Sequence, residues 1–421
     1  MLKCLLALAL ASSTLSSRAG ADELDRAIEA EMARQQVAGL TLAIVRNGEI
    51  VRLGAYGYGD LEWRSKASPD TRFEIASMSK MFTGAAVRIL MDEGRLDPET
   101  AVSRYFDALP DSWTGIKVRH LVTMSTGLPE DWGGDLIPYD TDVTTAYDDA
   151  SMLRAFTTLK MEAPPGTEFH YSSPGYAMLG MLVSRLSGAP LPEFVAERVF
   201  KPASMDRSTF IDNGEIVPER AQGYRQVGGR IKRGWYLGQY LHARPDVGVL
   251  STARDMARWV IALRAGRIVK DAGRLWAGAS VVVLSNCDYA SVDRFALMAA
   301  RQYLADLPDP RVESEKPDAN PALTASVIAS LRSLSQGRID PTSTNPDALD
   351  PLTMGDASAF LKDVEACAQA GTRRLPGNGL IVHGHRLVDY VTIRLRVSAG
   401  ARFLTVYRDE RDRIAYLELT E

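Results

Sequence analysis

The sequence predicts an α+β protein in two parts, and three observations carry the prediction. Runs rich in strand-forming residues near the start of the chain and again at Ser280–Leu284 enclose a long, mainly helical middle. A stretch rich in Pro, Asp and Glu, Leu307–Pro321, then interrupts the apolar rhythm. Beyond it a shorter mixture of helix and strand signals begins. With 421 residues the chain exceeds one ordinary core. It therefore divides into a leader over residues 1–21, a body over 22–306, a linker over 307–321 and a small α+β C-terminal domain over 322–421.

Glu23–Gln36 reads as an amphipathic helix, because Leu24, Ile28 and Met32 recur four apart on one stripe, and that stripe should lie on a sheet. The sheet opens with a hairpin. Leu40–Val45 and Glu49–Gly54 flank Asn47-Gly48, the dipeptide that supplies the positive φ angles of a tight turn. From Ser77 onward, Met78, Met81, Phe82, Ala85, Ala86, Ile89 and Leu90 follow the i, i+3, i+4 rhythm of a buried helix. Gly94 stands where a left-handed cap ends it.

The helical middle reads as an inserted lobe, punctuated by turn clusters at Gly133-Gly134 and Pro164-Pro165-Gly166. Ser280–Leu284 is a short apolar strand and Val292–Leu304 is helical again. In the second part, helices are expected over Ala322–Leu334 and Ala357–Ala366, and strands near Leu387–Val397, Arg402–Tyr407 and Ile414–Leu419.

Composition excludes some functions. Hydrophobic content of 46% with charged content of 24% is that of an ordinary globular protein. A net charge of -4 without any basic block argues against a nucleic-acid partner. Lys3, the apolar run Leu5–Ala11 and Ala19-Gly20-Ala21 form the pattern of a secretory leader cut before Asp22. The mature chain is then expected in the periplasm or outside the cell; a buried N-terminal helix is the competing reading. No later stretch reaches the ~18 apolar residues of a membrane helix.

Cys4 would leave with the leader, and Cys287 and Cys367 either pair or remain two buried thiols. His120, His170 and His242 lack metal-ligand spacing, so neither metal nor cofactor is expected. Gly57 and Gly59 open no helix as a nucleotide loop would, and they suit hairpin bends instead.

Ser77-Met78-Ser79-Lys80 has the S-x-x-K spacing that places a hydroxyl and an amine one helical turn apart on the same face. A serine hydroxyl attacks a carbonyl only when a base takes its proton, and a buried neighbouring amine suits that task. The same four residues can equally be an N-cap serine followed by a solvated lysine.

The surrounding text favours the chemical reading. Phe73-Glu74-Ile75-Ala76 before this tetrapeptide, and Met81-Phe82-Thr83 with Gly94-Arg95-Leu96 after it, resemble the nucleophile segment of class C β-lactamases, related esterases and D-amino-acid peptidases. Gly39-Leu40, Asn47-Gly48 and Gly57-Tyr58-Gly59 are similar to the opening hairpin of that superfamily. Leu121-Val122 with Ser125-Thr126-Gly127-Leu128 resembles its LL-x-H-x-SGL segment, with Met124 where a histidine is common. Ser251-Thr252-Ala253-Arg254-Asp255 and Val281–Asn286 are similar to later landmarks.

Tyr171-Ser172-Ser173 stands at the place of the Tyr-x-Asn motif. By this resemblance Ser77 is the nucleophile, and Lys80 and Tyr171 are its proton-transfer partners. A phenol near pKa ~10 serves as a base only if a neighbouring cation stabilises the phenolate, or if it relays a proton. Ser173 is then a substrate contact that keeps a hydroxyl but lacks the amide. It can also be read as an N-cap with proline at the first helical position.

One motif of the superfamily is missing. No Lys-Thr-Gly or His-x-Gly occurs between Asp255 and Val281, and the short text Asp271–Gly278 looks internally deleted. That motif marks the strand walling the other side of the cleft and supplying an oxyanion-hole N–H. His383-Gly384-His385 lies in the appended domain and reads as a turn between strands.

The resemblance implies a β-lactamase/transpeptidase-like body, an antiparallel sheet flanked by helices with the helical lobe inserted. It also implies a serine hydrolase that acts through an acyl-enzyme on an ester, amide or D-amino peptide, a small-molecule or peptide substrate. The alternative is a catalytically silent or impaired binding protein of the same fold.

Overall fold

The computed structural model of the chain describes residues 23–129, 149–212, 214–227, 229–234, 244–270, 279–288, 290–303 and 321–335, residues 338, 340 and 342, and residues 364–374, 380–382, 385–397, 400–409 and 414–420. The expected leader, Gly133-Gly134, His242, Asp271–Gly278, nearly all of the expected linker, and His383-Gly384 lie outside them.

The described elements begin with α1 (23–35), β1 (Gly39–Arg46), β2 (Glu49–Asp60), β3 (Ser65–Lys66), β4 (Phe73–Glu74), α2 (Lys80–Asp92), α3 (Val118–Val122), α4 (Asp149–Phe156), α5 (Ser173–Ser187) and α6 (Leu191–Val195). Next come β5 (Thr209–Phe210), β6 (Tyr224–Val227), β7 (Arg230–Arg233), β8 (Val249–Ser251), α7 (Ala253–Arg264), β9 (Ala279–Ser285) and α8 (Val292–Tyr303). After the linker region stand α9 (Pro321–Ser335), β10 (Val364–Arg374), β11 (Leu380–Val382), β12 (His385–Val397), β13 (Gly400–Asp409) and β14 (Ile414–Thr420). Elements up to α8 fall in one compact unit and those from α9 onward in a second.

The predicted hairpin is present. Arg46 pairs with Glu49 across Asn47 at φ 53° and Gly48 at φ 82°. Strand β1 also pairs with β9 antiparallel, giving the order β3-β2-β1-β9 and joining two strand signals far apart in sequence. Successive strand residues point to opposite faces, so an unbroken apolar strand needs cover on both. Leu40, Leu42 and Ile44 pack with Leu24, Ile28 and Met32 of α1 and with Phe295 and Ala299 of α8. Ala43 and Val45 join the core of α2, α5 and α7. Each large apolar side chain so buried contributes about 1.5–3 kcal/mol.

Helix α2 is the centre of that second core. A 3-10 turn, Ala76–Ser79, leads into it. Gly94 at φ 69° closes it, with the Arg95 N–H donating to the Leu90 carbonyl at 2.9 Å. Phe82 is wholly buried and meets Phe200 and Trp259 edge to face, with centroids 5.0 and 4.9 Å away. Phe82→Ala is therefore expected to cost about 3–5 kcal/mol by denaturant unfolding. A loss below about 1 kcal/mol would show that Phe82 is not a core anchor.

The structure differs from the expectation in three places. The middle is not only helical: it holds a three-stranded sheet, β4-β8-β5, and the hairpin β6-β7. Strands of two to four residues are too short to show a period. Of the helix expected over Ala357–Ala366, Ala357–Asp363 lie outside the described residues, and Val364–Ala366 belong instead to β10, which pairs with the long strand β12. Intrinsic helix preference is a weak determinant even for alanine and glutamate, and pairing with a β-rich partner strand outweighs it at Val364–Ala366. Finally Pro321, expected in the linker, opens α9.

Besides α9, the second unit holds an antiparallel sheet of order β10-β12-β13-β14, with β11 paired to β12. The Cys287 side chain is buried, and its sulfur accepts from the Ala38 N–H at 3.2 Å. Among the described residues no helix is long and apolar enough to cross a membrane.

His120 in α3 is 3% exposed, and its Nδ1 accepts from the Lys117 N–H at 3.1 Å. Burial holds its pKa below the usual histidine value, helped by the Arg119 and Lys117 charges. The unfolded chain then takes up its proton at higher pH than the folded one, near ~6.5. Stability from this group is intact above that value and is lost as pH falls through it toward the lowered folded value. Between pH 7 and 5 the melting temperature should fall more steeply in the wild type than in His120→Gln; equal slopes would contradict this.

Candidate active site

The segment that carries Ser77 is fixed from one side by β8 and the loop before it. Phe73 and Glu74 pair with Ser251 and Leu250, and the Ile75 N–H donates to the Val249 carbonyl at 3.1 Å. Ser79 Oγ accepts from the Val249 N–H at 3.0 Å, and Thr83 Oγ1 donates to the Pro245 carbonyl at 2.6 Å. Between these ties Ala76 has φ 46°, a left-handed conformation that costs a non-glycine residue roughly 1–2 kcal/mol. The bend leaves Ser77 exposed while Ser79 and Lys80 turn inward.

Lys80 is 6% exposed, and its Nζ donates to Ser77 Oγ at 3.2 Å. The predicted pair is thus at hydrogen-bond distance. Nζ also donates to the Asp246 carbonyl at 3.2 Å and lies 4.7 Å from the centre of the Tyr171 ring. The ring of Tyr171, rather than its hydroxyl, meets the amine. A cation over an aromatic face gains about 0.5–2 kcal/mol, so Tyr171 here packs against Lys80.

Ser173 is the first residue of α5 and is buried. It is not the N-cap. That role belongs to Ser172, whose backbone is extended and whose Oγ accepts from the Gly175 N–H at 3.1 Å. A capping hydroxyl reaches the N–H two or three residues on, and Ser173 has already entered the helix. Among the described residues no hydrogen bond joins its hydroxyl to Ser77, Lys80 or Tyr171.

Two residues near Lys80 were not singled out by the sequence. Arg244 and Asp246 are 5% and 0% exposed, and Nε and Nη2 of the arginine donate to the two carboxylate oxygens at 3.1 and 3.2 Å. The one sequence signal is a pair of charges just before the apolar strand Val249-Leu250. Such charges are ordinarily solvated. Among the described residues no group of three His, Cys, Asp or Glu is arranged to hold a metal ion.

An exposed serine stands one turn before a buried lysine, and a tyrosine ring lies against that lysine, an S-x-x-K arrangement on an α+β frame. The sequence pattern of the beta-lactamase family matches residues 24–295, and the chain belongs to that family. Protein flp of Staphylococcus aureus (strain MW2) is 27% identical over 245 residues, 56% of this chain and 48% of that protein. Penicillin-binding protein 4* of Bacillus subtilis (strain 168) is 28% identical over 191 residues, 45% of this chain and 42% of that protein. The chain thus spans about half the length of the curated relatives it matches.

Solved structures share the fold. The octameric penicillin-binding protein homologue from Pyrococcus abyssi aligns with TM-score 0.59 at 19% identity, covering 95% of this chain and 98% of that one. The D-amino acid amidase from Ochrobactrum anthropi SV3 aligns with TM-score 0.56 at 20% identity, covering 66% and 98%. EstCE1, a hydrolase with promiscuous acyltransferase activity, aligns with TM-score 0.58 at 18% identity, covering 69% and 99%. The fold is that of the β-lactamases and transpeptidases.

Proposed function

We propose that the chain is a serine hydrolase working through an acyl-enzyme on Ser77, with an ester, amide or D-amino peptide as substrate. The observation that carries this reading is the 3.2 Å hydrogen bond from Lys80 Nζ to an exposed Ser77 Oγ. Ser77 Oγ attacks the carbonyl carbon, and Lys80 and Tyr171 pass the serine proton to the leaving group. Water then releases the acyl group with regeneration of the hydroxyl. The amidase and the hydrolase among the structural neighbours favour this chemistry over the binding reading. Absence of Lys-Thr-Gly from the sequence turns the choice toward esters and small amides. The leader pattern of Met1–Ala21 would place the activity in the periplasm or outside the cell.

The test is turnover of p-nitrophenyl esters, D-alanyl peptides and a chromogenic cephalosporin by the wild type and by Tyr171→Phe. The variant should be slower by ~10²-fold or more, as loss of a proton-transfer group is. Equal rates would remove Tyr171 from the chemistry. The second reading, a silent binding protein, draws support from the lack of a third motif between Asp255 and Val281. Tight binding of a β-lactam without any covalent adduct would favour it.

A further inference from the structure

Behind Ser77 lie three buried charges where the proposed chemistry uses one. Lys80, Arg244 and Asp246 are all at most 6% exposed. A charge taken from water costs several kcal/mol unless it is paired, and here the Asp246 carboxylate stands between two cations. Arg244 donates to both carboxylate oxygens, while Asp246 Oδ2 stands 3.9 Å from Lys80 Nζ. The Asp246 carbonyl accepts from the same amine at 3.2 Å, so one residue meets Lys80 twice. Among the described residues the other groups in contact with the amine are neutral: Ser77 Oγ from the 3-10 turn, and the Tyr171 ring ahead of α5.

The 3.9 Å separation is informative. A free carboxylate would draw an ammonium into a direct pair at about 2.7–2.9 Å, and so away from Ser77. With both oxygens held by Arg244, the carboxylate offers its field while the amine keeps its hydrogen bond to Ser77. The loop itself is braced. The Pro245 carbonyl takes the Thr83 hydroxyl, and a Cβ on Gly180 of α5 would come within 2.2 Å of Pro245 Cγ.

We infer that Asp246, clamped by Arg244, is a positioning residue for Lys80, holding the amine by carbonyl and counter-charge at hydrogen-bond distance from Ser77. The kinetic half of this inference rests on the serine-hydrolase reading; the energetic half does not.

Both halves are tested on the full chain with Asp246→Asn, alone and combined with Lys80→Met or with Arg244→Met. Melting temperature and the second-order rate of Ser77 modification by a fluorophosphonate are measured for each. Asp246→Asn should melt lower than the wild type. Lys80→Met and Arg244→Met should each recover part of the loss, because each removes a cation that Asp246 balances. Labelling should fall roughly tenfold or more in Asp246→Asn, as for a displaced catalytic group. It should stay low in Arg244→Met/Asp246→Asn although that protein has regained stability.

If Lys80→Met recovers nothing, Asp246 is not coupled to Lys80 and the inference is wrong. If Arg244→Met/Asp246→Asn labels at the wild-type rate, Asp246 merely neutralises Arg244, and the inference is again wrong. A wild type that takes no label refutes the acyl-enzyme reading alone, and the melting comparison still decides the coupling.

Discussion

Ser77→Ala is expected to abolish covalent labelling by fluorophosphonates and penicillins. The expectation rests on the way the 3-10 turn divides its hydroxyls. Ser77 is exposed and shares a hydrogen bond with Lys80 Nζ. Ser79, two residues on, is 0% exposed, and its Oγ is already engaged by the Val249 N–H. It therefore offers no substitute nucleophile. Removing the nucleophile of such a site costs on the order of 10⁶ in turnover, which is complete loss in a labelling assay. Intact mass spectrometry of the variant after prolonged incubation checks the result. An adduct at unchanged rate would place the nucleophile elsewhere.

The second large effect is a gain. Inserting a family-like segment carrying His-x-Gly between Lys270 and Ala279 should raise ester hydrolysis by ~10²–10³-fold. An oxyanion hole needs donors in place before charge develops, and one donor is typically worth that much in turnover. On the serine-hydrolase reading Ser77's own N–H, in the 3-10 turn before α2, would supply one. The usual second comes from a strand bearing the third motif, for which the sequence between Asp255 and Val281 has no text. The eight residues Asp271–Gly278 would have to bring an N–H to the same point, and eight residues span at most about 28 Å. If the unmodified chain already hydrolyses simple esters as fast as the extended one, another group completes the hole and the deletion reading is wrong.

What the sequence made legible was governed by period and by turn chemistry. The stripe Leu24, Ile28 and Met32, the Asn47-Gly48 turn and the α2 rhythm each follow from local rules, and the structure shows all three. The S-x-x-K pair was legible because helical spacing alone brings Ser77 and Lys80 together. What escaped depends on contacts between distant segments. The strands β4, β5 and β8 exist only because they pair with one another, and β10 only because it pairs with β12. Asp246 lies far from Lys80 in the chain, and no spacing rule links a loop charge to a helix amine. The assignment of Ser172 rather than Ser173 as N-cap turned on a one-residue boundary, the least certain feature of any sequence reading.

The central claim, an acyl-enzyme on Ser77, is tested most directly by intact mass of the wild-type chain after exposure to a fluorophosphonate, followed by peptide mapping. The account predicts one label per chain, carried by the peptide that contains Ser77. No adduct, or an adduct on any other residue, would contradict it.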